Sequence, residues 1–196
     1  MVDLSNKNSR IKSMSYEVAI NKAWADLDKL QPDKDLSIRF LTDNYSIDFS
    51  ARKLMSLSCN VPAKDFVAIL ILHYLAERLK GLPELTGEWI SFKELAGGEF
   101  YYPAFRKRAI EPILSKYGSN PQNLLSVLDK GMAKKNNQAD AAVVIDVFEN
   151  VPVLVEIWKG DEEFGPEANM LFDRSIAEIF CTEDIAVLVG FVAKHI

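Results

Sequence analysis

His73 and Glu88 are the two side chains in this sequence best suited to moving a proton. Imidazole titrates closest to neutral pH, and His73 shares a face with Phe66, Ile69 and Leu70 in an apolar stretch, a setting for a general base or an axial ligand to a cofactor metal. Glu88 belongs to the segment Gly87 to Tyr102, which joins the backbone freedom of Gly87, Gly97 and Gly98 to five aromatics. Of these, Trp89, Phe92, Tyr101 and Tyr102 are the candidates to wall a ligand pocket in which Glu88 works. Further on, Asp161, Glu163 and Asp173, accompanied by Glu162 and Glu167, offer the several oxygens that Mg²⁺ or Ca²⁺ requires.

The same residues also have plainer readings. A lone histidine is commonly a hydrogen-bonded core imidazole, large aromatics pin long loops to a core, and adjacent carboxylates diverge into solvent. Ser91-Phe92-Lys93-Glu94 and Ser175-Ile176-Ala177-Glu178 have the spacing in which a serine and a glutamate satisfy each other's backbone amides at a helix start. Glu183 and Asp184 follow Thr182, where a helix N-terminus stabilises negative charge.

Several site types are excluded. No GxGxxG, GxxxxGK[ST] or GxSxG occurs, and with His73 and His195 as the sole histidines no HExxH can be written. Cys59 and Cys181 fit no zinc, iron–sulfur or dithiol spacing and read as isolated buried thiols. A net charge of −5 disfavours phosphate polymers, and the one basic run, Arg106-Lys107-Arg108, spreads around a helix and forms no stripe. Nucleic acid and membrane are therefore not expected partners. Residues 1–14 lack the apolar stretch of a secretory signal, and the longest apolar runs fall short of the roughly 20 residues a spanning helix needs, so a cytoplasmic location is expected.

The elements that must position these side chains follow from periodicity. Ile20, Ala23, Trp24, Leu27 and Leu30 predict an amphipathic helix over 15–30, ended by Pro32. Alternation at Leu36, Ile38, Phe40 and at Tyr45, Ile47, Phe49 predicts a β-hairpin, with a third strand near 53–58 making a meander. Pro62 and Gly81 bracket an apolar helix over 63–80, the expected central buried helix. Glycines and Pro83 make 82–98 a looping segment. A helix over 103–117 should be kinked or divided by Pro112, and a short one should run from Asn120 to Gly131. Runs 141–148 and 151–158, separated by Glu149-Asn150, predict a second hairpin, followed by an acidic loop over 160–166 and two short helices. The expected fold is α+β: a single domain over 15–196 after a disordered polar tail over 1–14, with two antiparallel β-hairpins, one extended to a meander, packed on a central buried helix with several shorter helices.

Leu72-His73-Tyr74-Leu75, Gly87 through Leu95, Asp161-Glu162-Glu163-Phe164 and Leu171-Phe172-Asp173, with Glu183-Asp184 after them, resemble in order and rough spacing the motifs of a family of anaerobic bacteria and archaea, domain of unknown function 3786. The resemblance implies a redox or corrinoid-linked setting in anaerobic metabolism and adds interest to His73, Glu88, Trp89, Asp161, Glu163 and Asp173. The iron–sulfur domain carried by some members has no cysteines to support it here. The expectation is an accessory module that binds a small molecule or a protein partner. The alternatives are an enzyme using Glu88 or His73 with a divalent cation at the Asp161 loop, or a structural subunit. No cofactor or oligomeric state can be named from the residues.

Overall fold

Alternating apolar and polar residues from Leu36 to Asp48 give two paired strands, because every second side chain turns to one face. In the computed structural model, residues 4–30, 36–131 and 133–196 are described, without side-chain detail for 4–15 and 130. The class is α+β, as expected. The chain separates into two compact units, Met1–Leu82 and Pro83–Ile196.

The first unit begins with α1 (Leu4–Asp28), which starts well before the expected Ser15; residues 1–3 and Pro32 lie outside the described residues. Ala23, Trp24 and Leu27 of its predicted stripe are buried, and Trp24 meets Phe49 edge-on at 6.1 Å. Strands β1 (Leu36–Phe40), β2 (Asp43–Asp48), β3 (Lys53–Ser56) and β4 (Val61–Pro62) form an antiparallel meander in that order. Pro62 thus ends a strand, and α2 opens at Asp65 and runs to Lys80. The middle of α2 is apolar nearly all round, and Leu70, Ile71, Leu72, Tyr74 and Leu75 are sealed from solvent. This is the expected buried helix, but it serves the meander and α1 within its own unit.

The second unit is built on a five-stranded antiparallel sheet in the order β5 (Trp89–Ser91), β9 (Glu167–Asp173), β8 (Val151–Trp158), β7 (Ala141–Phe148), β6 (Ala133–Asn136). The β7–β8 hairpin is the expected one, turning at Asn150 with φ 57°. Strand β5 corrects the expectation of loop there, and β9 is a strand where the acidic loop was expected to lead straight into short helices: Glu167, Ala168 and Asn169 have weak strand preference, and pairing with β8 overrides it. Over this sheet runs one nearly continuous helical stretch: α3 (Gly98–Phe105), a π-helical turn (Arg106–Ile110) and α4 (Glu111–Tyr117). Gly98 is required at its start, since a Cβ there would lie 2.0 Å from the Phe92 carbonyl oxygen. Pro112 neither breaks nor divides the stretch. It lacks an N–H and its ring crowds the carbonyl four residues back, and the turn before it widens so that Glu111 N–H donates to Arg106 O.

A 3₁₀ segment (Pro121–Lys130) packs on β6 and β7, and α5 (Ile176–Ile179) leads into α6 (Thr182–His195), which packs along α3, the π turn and α4. The π turn and α4 in turn touch β9. Among the described residues no helix is long and apolar enough to cross a membrane.

Candidate functional site

At the C-terminal end of β9, Asp173 is 3% exposed and its carboxylate is fully used. One oxygen accepts from Thr86 N–H (3.1 Å), Thr86 Oγ1 (3.0 Å) and Ser175 N–H (3.0 Å), and the other from Gly87 N–H (2.7 Å). Burial pushes this carboxyl upward, but the hydrogen bonds from Ser175, Thr86 and Gly87 outweigh it and hold it at about 2. Glu88, next along, gives both oxygens to Arg174, whose guanidinium pulls the Glu88 carboxyl below its ordinary range. Glu94 closes the predicted capping box with Ser91 through bonds of 2.7 and 2.9 Å. The other serine–glutamate pair does not cap: α5 is a single turn, and Ser175 makes no side-chain cap bond.

The remaining candidates disperse. Phe92 is 1% exposed and stacked on Phe105 at 4.4 Å, so it is core and not a ligand wall. Trp89 is half-buried on the edge strand opposite Asp173, and Tyr101 hydrogen-bonds Glu183. His73 is half-buried on α2, in the other unit. Asp161 lies in the exposed loop before β9, and the seven residues of that strand, about 20 Å of extended chain, run between the loop and Asp173. Its Oδ1 accepts from the N–H groups of Glu163 and Phe164, both at 2.8 Å, while its own N–H donates to Phe164 O at 2.9 Å. Asp161, Glu163 and Asp173 therefore do not converge, and among the described residues no group of three or more His, Cys, Asp or Glu could hold a metal ion. Both thiols, expected to be buried, are exposed; nearby burial and the acidic start of α6 raise Cys181 to about 11.

One candidate does face a cavity. Tyr102 lines a groove of about 670 Å³, whose helical wall carries Tyr102, Arg106, Ile110 and Leu114 at intervals of four through the π turn. The sheet contributes Trp158, Glu167 and Asn169. Trp158 pairs with Glu167, and residues two apart on a strand share a face, so all three project the same way. Gly165 and Pro166 supply the third wall, at the end of the loop that Asp161 holds shut. That loop closes tightly: a Cβ on Gly160 would fall 2.8 Å from Phe164 O and from Pro166 N.

The family model Domain of unknown function (DUF3786) matches residues 23–195. The chain belongs to this family. No curated protein and no solved structure matches it. The span that defines the family includes both the knot around Asp173 and the whole groove wall.

Of the expected pocket residues Tyr102 lines this groove, and the loop that begins at Asp161 supplies Gly165 and Pro166; Arg106, Trp158 and Asn169 were not among the expected site residues. Arg106 was passed over because three consecutive basic residues do not share a helix face; a groove needs only one of them. The signal in the sequence is the row of Tyr102, Arg106, Ile110 and Leu114 beside Pro112, whose missing N–H and ring favour a widened turn just before it.

Proposed function

We propose that this chain is a small-molecule-binding module, and that the groove between the π turn, β9 and the Gly165–Pro166 wall is its site. The observation that carries the reading is the groove's construction: about 670 Å³ falls in the size range of ligand pockets, and an open, mainly polar lining sets Arg106, Glu167 and Asn169 beside Tyr102, Trp158 and Leu114. A π turn, a feature frequently found at functional sites, forms one wall. The loop wall is fixed by its own hydrogen bonds, so the shape is largely preformed.

Binding is favoured over acid–base catalysis by the state of the acids. Glu88 is ion-paired with Arg174, Asp173 is committed to four donors, and Asp161 lies at the far end of β9 from both. The test is a fragment screen by ligand-observed NMR against the wild-type chain and Leu114→Trp, which fills the groove. Hits that vanish with Leu114→Trp are expected. A screen in which every hit survives that substitution would sink the reading.

A further inference from the structure

We infer that the groove takes a flat aromatic or heteroaromatic molecule bearing a carboxylate; this rests on the groove being the binding site. The polar side chains in its walls are mostly donors, and mostly unspent. Arg106 carries five N–H donors and makes no hydrogen bond to any described residue; its nearest acid, Glu111, is 4.0 Å away, and both side chains are well exposed. The Trp158 indole N–H has no acceptor among the described residues. Asn169 uses its carbonyl oxygen to accept from Met170 N–H at 3.1 Å, which leaves its two amide donors open. Against these donors stands one acidic side chain in the lining, the exposed Glu167.

A donor-rich wall selects a ligand rich in acceptors, and a guanidinium fork matches the two oxygens of a carboxylate. Arg106 is the one cation in the lining, and Glu167 and the nearby Glu111 oppose further negative charge, which sets a carboxylate above a dianionic phosphate. The rest of the lining is flat or aliphatic: the Tyr102 and Trp158 rings, Ile110, Leu114 and the Pro166 ring. Tyr102 is held in place from outside the groove, with Lys93 Nζ 4.4 Å from its ring centroid and Phe105 beside it at 5.7 Å. Such surfaces bury an aromatic body while the donors take its charged end.

Isothermal titration with 2-naphthoate, 2-naphthamide and 2-naphthyl phosphate tests this on the wild-type chain, Arg106→Gln and Leu114→Trp. Naphthoate is expected to bind about tenfold or more tighter than the amide, and Arg106→Gln to bring it down to the amide's level, as loss of a charge-assisted bond implies. Glu167→Gln should tighten naphthoate. The inference is overturned if the amide or the phosphate binds as well as naphthoate, if Arg106→Gln leaves naphthoate unchanged, or if naphthoate does not bind up to its solubility limit. In those cases, probes of any charge that are lost in Leu114→Trp would leave the groove itself standing as a binding site. Probes that bind regardless of Leu114→Trp would remove both.

Discussion

Glu88 and Arg174 are joined three times: Arg174 N–H donates to Glu88 O at 2.9 Å, and its guanidinium donates to the two carboxylate oxygens at 2.5 and 2.6 Å. Backbone and side chain thus fasten the entry to β5 onto the exit of β9. Because the side chains are exposed, solvent weakens the pair, and its loss is a minor event. Glu88→Gln should fold, with a slightly lowered denaturant midpoint and ligand binding in the groove unchanged. Loss of groove binding in a folded Glu88→Gln chain would return Glu88 to the site.

Asp173 is expected to matter far more to stability. Asp173→Asn leaves at least one buried donor facing an NH₂ group, and should cost about 1–3 kcal/mol in urea unfolding. The pH dependence has a defined sign. The folded carboxyl sits at about 2, below its ordinary value of 3.8, so its contribution is fully present above that value and is lost as pH falls through 2. The wild-type chain should lose about 2 kcal/mol across that window from this group. In Asp173→Asn this part of the acid slope should disappear.

Phe92 and Tyr102 separate packing from recognition. Phe92→Ala removes a sealed ring stacked on Phe105 and should cost about 3–5 kcal/mol. Tyr102→Ala loses a half-buried ring and its contact with Lys93, on the order of 1 kcal/mol for the cation–π part, yet should abolish measurable binding of naphthoate. Equal stability losses in the two variants would mean that Tyr102 is a core residue.

Glu156 offers a test in the opposite direction. It is 5% exposed, lies directly opposite Asn169, and has no hydrogen-bond donor among the described residues; burial alone raises its carboxyl. A raised folded value means that Glu156 favours the folded state below the ordinary glutamate range and opposes it increasingly as pH rises through the shifted value. Glu156→Gln should therefore stabilise the chain at neutral pH and leave it unchanged or weaker near pH 4. Thermal melts across that range check both ends.

The legible parts of the fold were those in which local pattern and tertiary demand agree. The β1–β2 alternation, the apolar run of α2 and the β-branched β7–β8 hairpin each carry their own instruction. Strand β9 does not: Glu167, Ala168 and Asn169 become a strand because β8 already lies alongside with open hydrogen-bonding groups. The division into two compact units was equally silent, since nothing in composition changes around Leu82. For the site, aromatic content pointed to Gly87–Tyr102, and of the four rings singled out there Tyr102 is in the groove lining. It misplaced Phe92, because sequence shows a large ring but not which side of the backbone is sealed. Asp161 was noticed for its charge, and its observed work is geometric.

The π turn at Arg106–Ile110 has one consequence that concerns residue count and not residue type. In a regular α-helix, twelve residues from Tyr102 to Leu114 leave the two side chains about 120° apart around the axis; a turn that absorbs one extra residue brings them to within about 20°. The groove wall is thus a matter of phase. Deleting one residue among positions 107–109 would remove the extra residue and the π turn together, leaving eleven steps of ordinary winding and the row still within about 20°; it is ordinary winding of all twelve that would swing Leu114 away from Tyr102.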